Sequence, residues 1–342
     1  MTLAELTTLR VGGPADRVVE VRSRADLIEA VTEADASGQP VLLVGGGSNL
    51  LVCDAGFPGS VVRVLTHGVD VVGRSGGAVS IRVAAGEAWD AVVSRAVAEG
   101  WSGIEALAGI PGATGATPIQ NVGAYGAEVA QVVESLDVLD RRSGEVRPMT
   151  PGQAQFGYRT SLLKRDPGRW VVLSVVLRLA QEPVSAPVRY AELARTLGVD
   201  VGARVPLADA RAAVLDLRRG KGMVLDPADH DTWSAGSFFT NPILPAEQAA
   251  TLPADAPRFG QPDGRTKTSA AWLISHAGFE RGFAVRPGAP AALSTKHSLA
   301  LTNRGSATAD DLLELARVVR AGVFERFGIL LENEPVLVGC TL

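Results

Sequence analysis

Two glycine-rich segments carry the residue types best suited to binding a ligand. Pro111 to Gly126 reads PGATGATPIQNVGAYG. Gly112, Gly115, Gly123 and Gly126 remove side chains where backbone must turn sharply or lie against something flat, and Gln120 and Asn121 offer both donors and acceptors. Such a loop suits a planar ring with a polar edge. The second segment, Gly45-Gly46-Gly47-Ser48-Asn49, follows the apolar run Val41–Val44, so a glycine turn leaves the end of a strand and presents backbone N–H groups to an anion such as phosphate. Taken alone, a turn of this composition serves equally well as chain punctuation. The chain has no GxxxxGKS or GxxxxGKT, and Gly45-Gly46-Gly47 lacks the third glycine of GxGxxG.

The elements that must position these loops follow from periodicity. Ser23 is placed to cap a helix whose apolar residues Leu27, Ile28, Val31 and Ala34 keep helical spacing until Gly38, and the strand Val41–Val44 comes next. Val61–Leu65 and Ile81–Ala85 read as strands, and Trp89, Val92, Val93, Ala96 and Val97 mark one face of a helix ended by Gly100. Val132–Leu139 and Trp170–Leu179 are rich in β-branched residues and flank a loop over 153–165. The stretch 181–187 holds two prolines and no period, and is read as the boundary between two parts. A helix near Leu207–Arg219 follows, then a compact turn over 236–242. A last helix, Asp311–Phe327, is expected to bury Leu312, Leu315, Val319 and Phe324, and Ile329–Val338 to return as a strand carrying Glu332 and Glu334. The class is α+β.

Composition sets limits on function. A length of 342 residues favours two or three domains, and a net charge of −4 gives no reason to expect nucleic acid or an anionic membrane as partner. Cys53 and Cys340 stand far apart in sequence without a CxxC, and His67, His230 and His276 form no HExxH-like pattern, so neither a disulfide framework nor a metal site is indicated. The N-terminus lacks the apolar core of a signal peptide, and no apolar run reaches the roughly 20 residues of a membrane helix. A soluble protein of the reducing cytoplasm is expected.

LLVGGGSNLLV (42–52), GIPGATGATPIQNVGAYG (109–126), FGYRTSLLK (156–164), AGSFFTNP (235–242) and LENEPVLVG (331–339) occur in that order. Together they resemble the UDP-N-acetylenolpyruvoylglucosamine reductases, FAD enzymes of bacterial peptidoglycan precursor synthesis, and the resemblance runs from Thr8 to Gly339. It implies a vanillyl-alcohol-oxidase/PCMH-type FAD-binding fold over 1–183, in lobes 1–67 and 68–183, and a second α+β substrate-binding domain over 184–342 whose last strand, 329–342, carries a catalytic Glu. It also implies that NADPH reduces the flavin, and that the flavin reduces the enolpyruvyl double bond of UDP-N-acetylglucosamine enolpyruvate. The partners would be these small molecules alone, and the enzyme a monomer.

Residue by residue, the resemblance assigns Gly45, Gly46, Gly47, Ser48 and Asn49 to the FAD pyrophosphate, and Pro111, Gly112, Gly115, Gln120, Asn121, Gly123, Ala124 and Tyr125 to the flavin and its ribityl chain. Ser237 stands at the position of the proton donor. Hydride arriving at C3 of the enol ether leaves charge at C2, which a neutral hydroxyl can protonate. Arg159 would hold the carboxylate and stabilise the developing enolate with its planar fork. Glu334 would act either as a protonated donor to the enolate or on the proton path to Ser237; preferring it to Glu332, two residues away, rests on motif alignment. Tyr158, Tyr190, Lys221, Asn241 and His297 fall where the family contacts substrate. Phe259 stands where one branch of the family has a tyrosine over the substrate diphosphate; a phenyl ring can stack there but offers no hydroxyl.

Overall fold

A capping box on Ser23, whose hydroxyl accepts the Asp26 amide while Asp26 returns to the Ser23 amide, starts the first long helix where the sequence predicts it. The computed structural model describes residues 1–342. Through the first 224 residues its longer elements are β1 (Ala15–Val21), α1 (Arg24–Ala36), β2 (Val41–Val44), β3 (Leu50–Val52), β4 (Phe57–Val64), β5 (Val69–Ser75), β6 (Ala78–Ala84), α2 (Trp89–Ala98), β7 (Val133–Asp140), β8 (Glu145–Met149), β9 (Trp170–Gln181), α3 (Ala191–Leu197) and α4 (Leu207–Gly220). Beyond them come α5 (Ala270–His276), β10 (Ala291–Leu293), β11 (Leu301–Asn303), α6 (Ala309–Phe327) and β12 (Val336–Val338). The chain folds into two compact units, one of residues 15–47 and 58–224, the other of residues 1–14, 48–57 and 225–342.

In the first unit β4 lies between β1 and β2, and β2 runs parallel to β4 with Val41 opposite Ser60 and Val44 opposite Arg63. A larger antiparallel sheet takes the order β8-β7-β9-β6-β5. β9 is its spine, twelve residues long and buried along most of its length. One core gathers Val79, Ile81 and Val83 of β6, Trp89, Val92 and Val93 of α2, and Val175 and Leu177 of β9. Leu193 of α3 and Val214 and Leu215 of α4 belong to that same core.

This changes the division read from the sequence. The proline-bearing stretch 181–187 is no linker: Ser185 is buried, its amide donates to the Val205 carbonyl at 2.7 Å, and the Ala186 amide donates to the buried Glu105 carboxylate at 2.5 Å. The units divide after Val224, and residues 1–14 and 48–57 go with the C-terminal part.

In the second unit β3 and β12 pair in parallel, with Leu50 opposite Val336, and β10 and β11 form a hairpin under α6. Two sequence expectations fail here. α6 buries Leu312, Leu315 and Val319, but Phe324 is 52% exposed. The final strand covers only Val336–Val338, because Pro335 has no N–H to give a ladder, and both Glu332 and Glu334 precede it.

Candidate active site

In the first unit the two glycine segments meet. A Cβ on Gly45 would lie 2.7 Å from the Ala113 Cβ, and one on Gly46 only 2.6 Å from the Gly112 Cα, so the turn after β2 presses against the start of the 111–126 loop at backbone distance. That loop is tied in turn to the β6–α2 connection. Thr114 N donates to Glu87 O at 2.8 Å, Gly115 N to Ala85 O at 2.8 Å and Trp89 N to Gly112 O at 3.0 Å. Gly45, Gly46 and Gly47 thus leave the C-terminal end of a parallel strand, where open sheets place their ligands.

Farther along, Asn121 is buried with φ +47°. Its amide nitrogen donates to Glu128 Oε2 at 2.8 Å and to Gly157 O at 3.1 Å, and its Oδ1 accepts the Ala130 amide at 3.1 Å. The side chain therefore organises the loop, a role its residue type alone does not show, just as nothing in the motif marks Glu128 as its partner. Arg159 Nη2 donates to Gly123 O at 2.7 Å, and Ser161 Oγ donates to Ile119 O at 2.6 Å, so the FGYRTS segment is stapled to the PIQNVG loop. The Arg159 guanidinium also sits 5.4 Å from the Tyr158 ring.

Tyr125, at φ +50°, meets the ring of Tyr190 edge-on at 5.6 Å, and the Lys221 ammonium lies 5.7 Å from the Tyr125 ring. Lys221 also pairs with Glu192 at 2.5 Å. Burial pushes the Tyr125 hydroxyl up to about 12, and burial likewise pulls Arg218 down. Tyr125, Tyr190 and Lys221 form one cluster of this unit, and Asn121, Gly123, Tyr158 and Arg159 another.

In the second unit AGSFFTNP runs antiparallel to LENEP. Glu334 N donates to Phe238 O at 2.8 Å, Thr240 N donates to Glu332 O at 3.0 Å, and Phe239 bridges Asn333. The buried rings of Phe238 and Phe239 anchor the strip that carries Ser237. Glu334 is half-buried and Glu332 exposed. Asn49 Nδ2 donates to the Glu334 carbonyl at 3.3 Å, and Asn49 O accepts the Val336 amide at 2.9 Å, so the end of the GGGSN motif supports the segment bearing Glu334.

Ser237 Oγ lies 3.5 Å from His297 Nε2, a contact the sequence did not foretell. Asn241 Oδ1 accepts the first amide of α5, from Ala270, at 2.9 Å. Phe259 is exposed, on a two-residue strand beside Thr266–Lys267.

A model of the C-terminal domain of UDP-N-acetylenolpyruvoylglucosamine reductase matches residues 226–338, and a model of an FAD binding domain matches residues 15–150. The UDP-N-acetylenolpyruvoylglucosamine reductase of Saccharopolyspora erythraea is 55% identical over 99% of this chain and 95% of its own, and that of Cutibacterium acnes 53% identical over 99% and 90%. The crystal structure of UDP-N-acetylenolpyruvylglucosamine reductase from Thermus caldophilus matches with a TM-score of 0.69 at 29% identity, covering 99% of this chain and 97% of the other. The chain belongs to the UDP-N-acetylenolpyruvoylglucosamine reductase family. It has the family's α+β FAD-binding fold with a second α+β domain, and is an FAD-dependent oxidoreductase. The first unit fits that cofactor: the backbone contact of Gly45 and Gly46 with Gly112 and Ala113 leaves a strand-end turn bare of side chains, and Gln120 adds amide hydrogen-bonding groups to the loop beside it.

Proposed function

We propose that this protein reduces the enolpyruvyl group of UDP-N-acetylglucosamine enolpyruvate to UDP-N-acetylmuramate with NADPH, in the cytoplasm, as a step of peptidoglycan precursor synthesis. The observation that carries this reading is the antiparallel pairing of AGSFFTNP with LENEP, which sets a neutral hydroxyl, Ser237, on the segment hydrogen-bonded to that of a half-buried carboxyl group, Glu334. Reduction of an enol ether needs both a hydride and a proton. FAD, when bound, supplies the hydride it takes from NADPH. Gly45, Gly46, Gly47, Ser48 and Asn49 would hold its pyrophosphate, and Pro111, Gly112, Gly115, Gln120, Asn121, Gly123, Ala124 and Tyr125 its ring and ribityl chain; for Asn121 the contact is through the backbone, since its amide hydrogens bind Glu128 and Gly157.

The residues of the chain then handle charge and proton. Arg159 offers a planar fork to the carboxylate and to the charge that builds toward it, worth on the order of 3 kcal/mol by comparison with an oxyanion donor. Ser237 Oγ gives its proton to C2. Glu334 assists from the facing segment, as donor to the enolate or on the path that restores the Ser237 proton. Tyr158, Tyr190, Lys221, Asn241 and His297 would bind the nucleotide sugar, with Lys221 directed at the diphosphate.

An anaerobic two-step experiment tests the reading. The bound flavin is reduced with NADPH, the UDP-sugar enolpyruvate is added, and reoxidation is followed by absorbance. Ser237→Ala is expected to leave flavin reduction nearly intact and to cripple reoxidation. Equal slowing of both steps would overturn the role of Ser237, and no reoxidation of the unaltered protein would overturn the substrate.

A further inference from the structure

The segment that delivers Ser237 also grips the loop that carries His297. Residues 294–300 connect β10 to β11. Within this loop the Ser294 hydroxyl accepts the amides of Lys296 and His297 at 3.0 and 3.2 Å, and the Ala300 amide donates to the His297 carbonyl at 3.1 Å. The turn so formed aims the His297 ring at Ser237 Oγ, 3.5 Å from Nε2. Two carboxylates hold the loop from outside. Asp231 is buried and accepts the Thr295 amide at 2.9 Å, the Thr295 hydroxyl at 2.5 Å and Arg304 Nη1 at 2.8 Å. Asp229 pairs with Lys296 at 2.5 Å. Both belong to the short turn about His230–Thr232, which leads directly into Ser237.

Burial alone would raise the Asp231 carboxyl; the Thr295 and Arg304 hydrogen bonds outweigh it and hold the group below the usual carboxylate range. A buried ionised carboxylate is a costly way to hold a hairpin turn, since the Ser294 hydroxyl and the hairpin's own amides already shape it. It does fix something those bonds cannot, the distance from the turn to the Ser237 segment. That distance matters because 3.5 Å is at the long edge of a hydrogen bond, where small displacements decide whether the bond is made.

We propose that Asp231 is a positioning residue for proton delivery: through Thr295 it sets the His297 ring against the Ser237 hydroxyl. With the ring proton on Nε2, His297 donates to Ser237 Oγ. This leaves the hydroxyl hydrogen for substrate C2 and stabilises the oxygen as that proton departs. The proposal rests on Ser237 being the proton donor.

The test is a double-mutant cycle on the intact flavoprotein, with Asp231→Ala, His297→Ala and the pair, each assayed for flavin reduction by NADPH and for reoxidation by the UDP-sugar enolpyruvate. Asp231→Ala is expected to slow reoxidation roughly ten- to a hundredfold and to leave NADPH reduction within about twofold. It should add nothing in the His297→Ala background, because a residue that acts only through His297 has no effect once the imidazole is gone. If Asp231→Ala does not fold, Thr295→Val removes the hydroxyl donor at nearly constant shape and is expected to give the same pattern with smaller amplitude. Equal slowing of both steps, effects that multiply, or a His297→Ala variant reoxidised at the unaltered rate would each overturn the proposal. Failure of the unaltered protein to be reoxidised would instead overturn the underlying assignment, and the proposal with it.

Discussion

Asn121, Tyr125 and Arg159 take φ of +47°, +50° and +53°, a region that disfavours residues with a Cβ by roughly 1–2 kcal/mol each. Such strain persists where surroundings over-determine it, and here they do: Asn121 makes three side-chain hydrogen bonds and Arg159 is tied to Gly123. All three are residues that the sequence motifs singled out, but the motifs did not say why. Residue type revealed that the loop could bind; only the fold reveals that the Asn121 amide is taken up by Glu128 and Gly157, and that His297 stands at Ser237. Tyr125 of this loop is half-buried. Raised from 10.0 to about 12 by burial, the folded phenol keeps its proton in a window where the unfolded one has lost it. Its contribution to stability is therefore fully present below pH 10 and declines as pH rises through that window. Titrating phenolate absorbance in the unaltered protein and in Tyr125→Phe should give a difference that ionises near 12; a difference centred near 10 would contradict burial as the cause.

Among the elements, helices with a cap and a clean apolar face were legible: α1 begins at its Ser23 box, and α2 buries Trp89, Val92, Val93 and Ala96. Short strands were not. β12 shrinks to three residues because Pro335 interrupts it, and Phe324 faces out because α6 turns that side to solvent. Most telling is the fit of the two glycine segments to each other, since sequence marks each as a turn but not as each other's partner. Gly46→Ala would place a methyl 2.6 Å from the Gly112 backbone, where neither segment can yield without displacing the other. A loss of about 1–3 kcal/mol is expected, with weaker FAD retention, read by thermal unfolding and by flavin released on gel filtration. Gly220, at the end of α4 with nothing within 4 Å of an added Cβ, makes the control: Gly220→Ala should be neutral or stabilising by up to about 1 kcal/mol. Equal destabilisation by the two would show that the close approach is not what requires Gly46.

At the scale of the whole molecule, the sequence made the proline-bearing stretch 181–187 look like a border because its residues carry no period, yet burial and hydrogen bonding make it part of the FAD-binding unit. A boundary depends on which side chains share a core, and periodicity within one segment cannot report that. Val188 and Leu193, with Val214 and Leu215 of α4, pack in the same cluster as Trp89, Ile81 and Leu177. No helix is long and apolar enough to cross a membrane. FAD bound to the folded unit adds about 2.7 kcal/mol when present at a hundred times its dissociation constant. This stabilisation should spread through the whole shared core and not end at residue 183. Native-state hydrogen exchange on the flavoprotein, before and after the flavin is removed, can decide. Amides of β6, α2 and α4 are expected to lose protection together on removal, because they open as one cooperative unit. If β6 and α2 loosen while Leu207–Gly220 keeps its protection unchanged, α4 belongs energetically to a separate unit despite its place in the core.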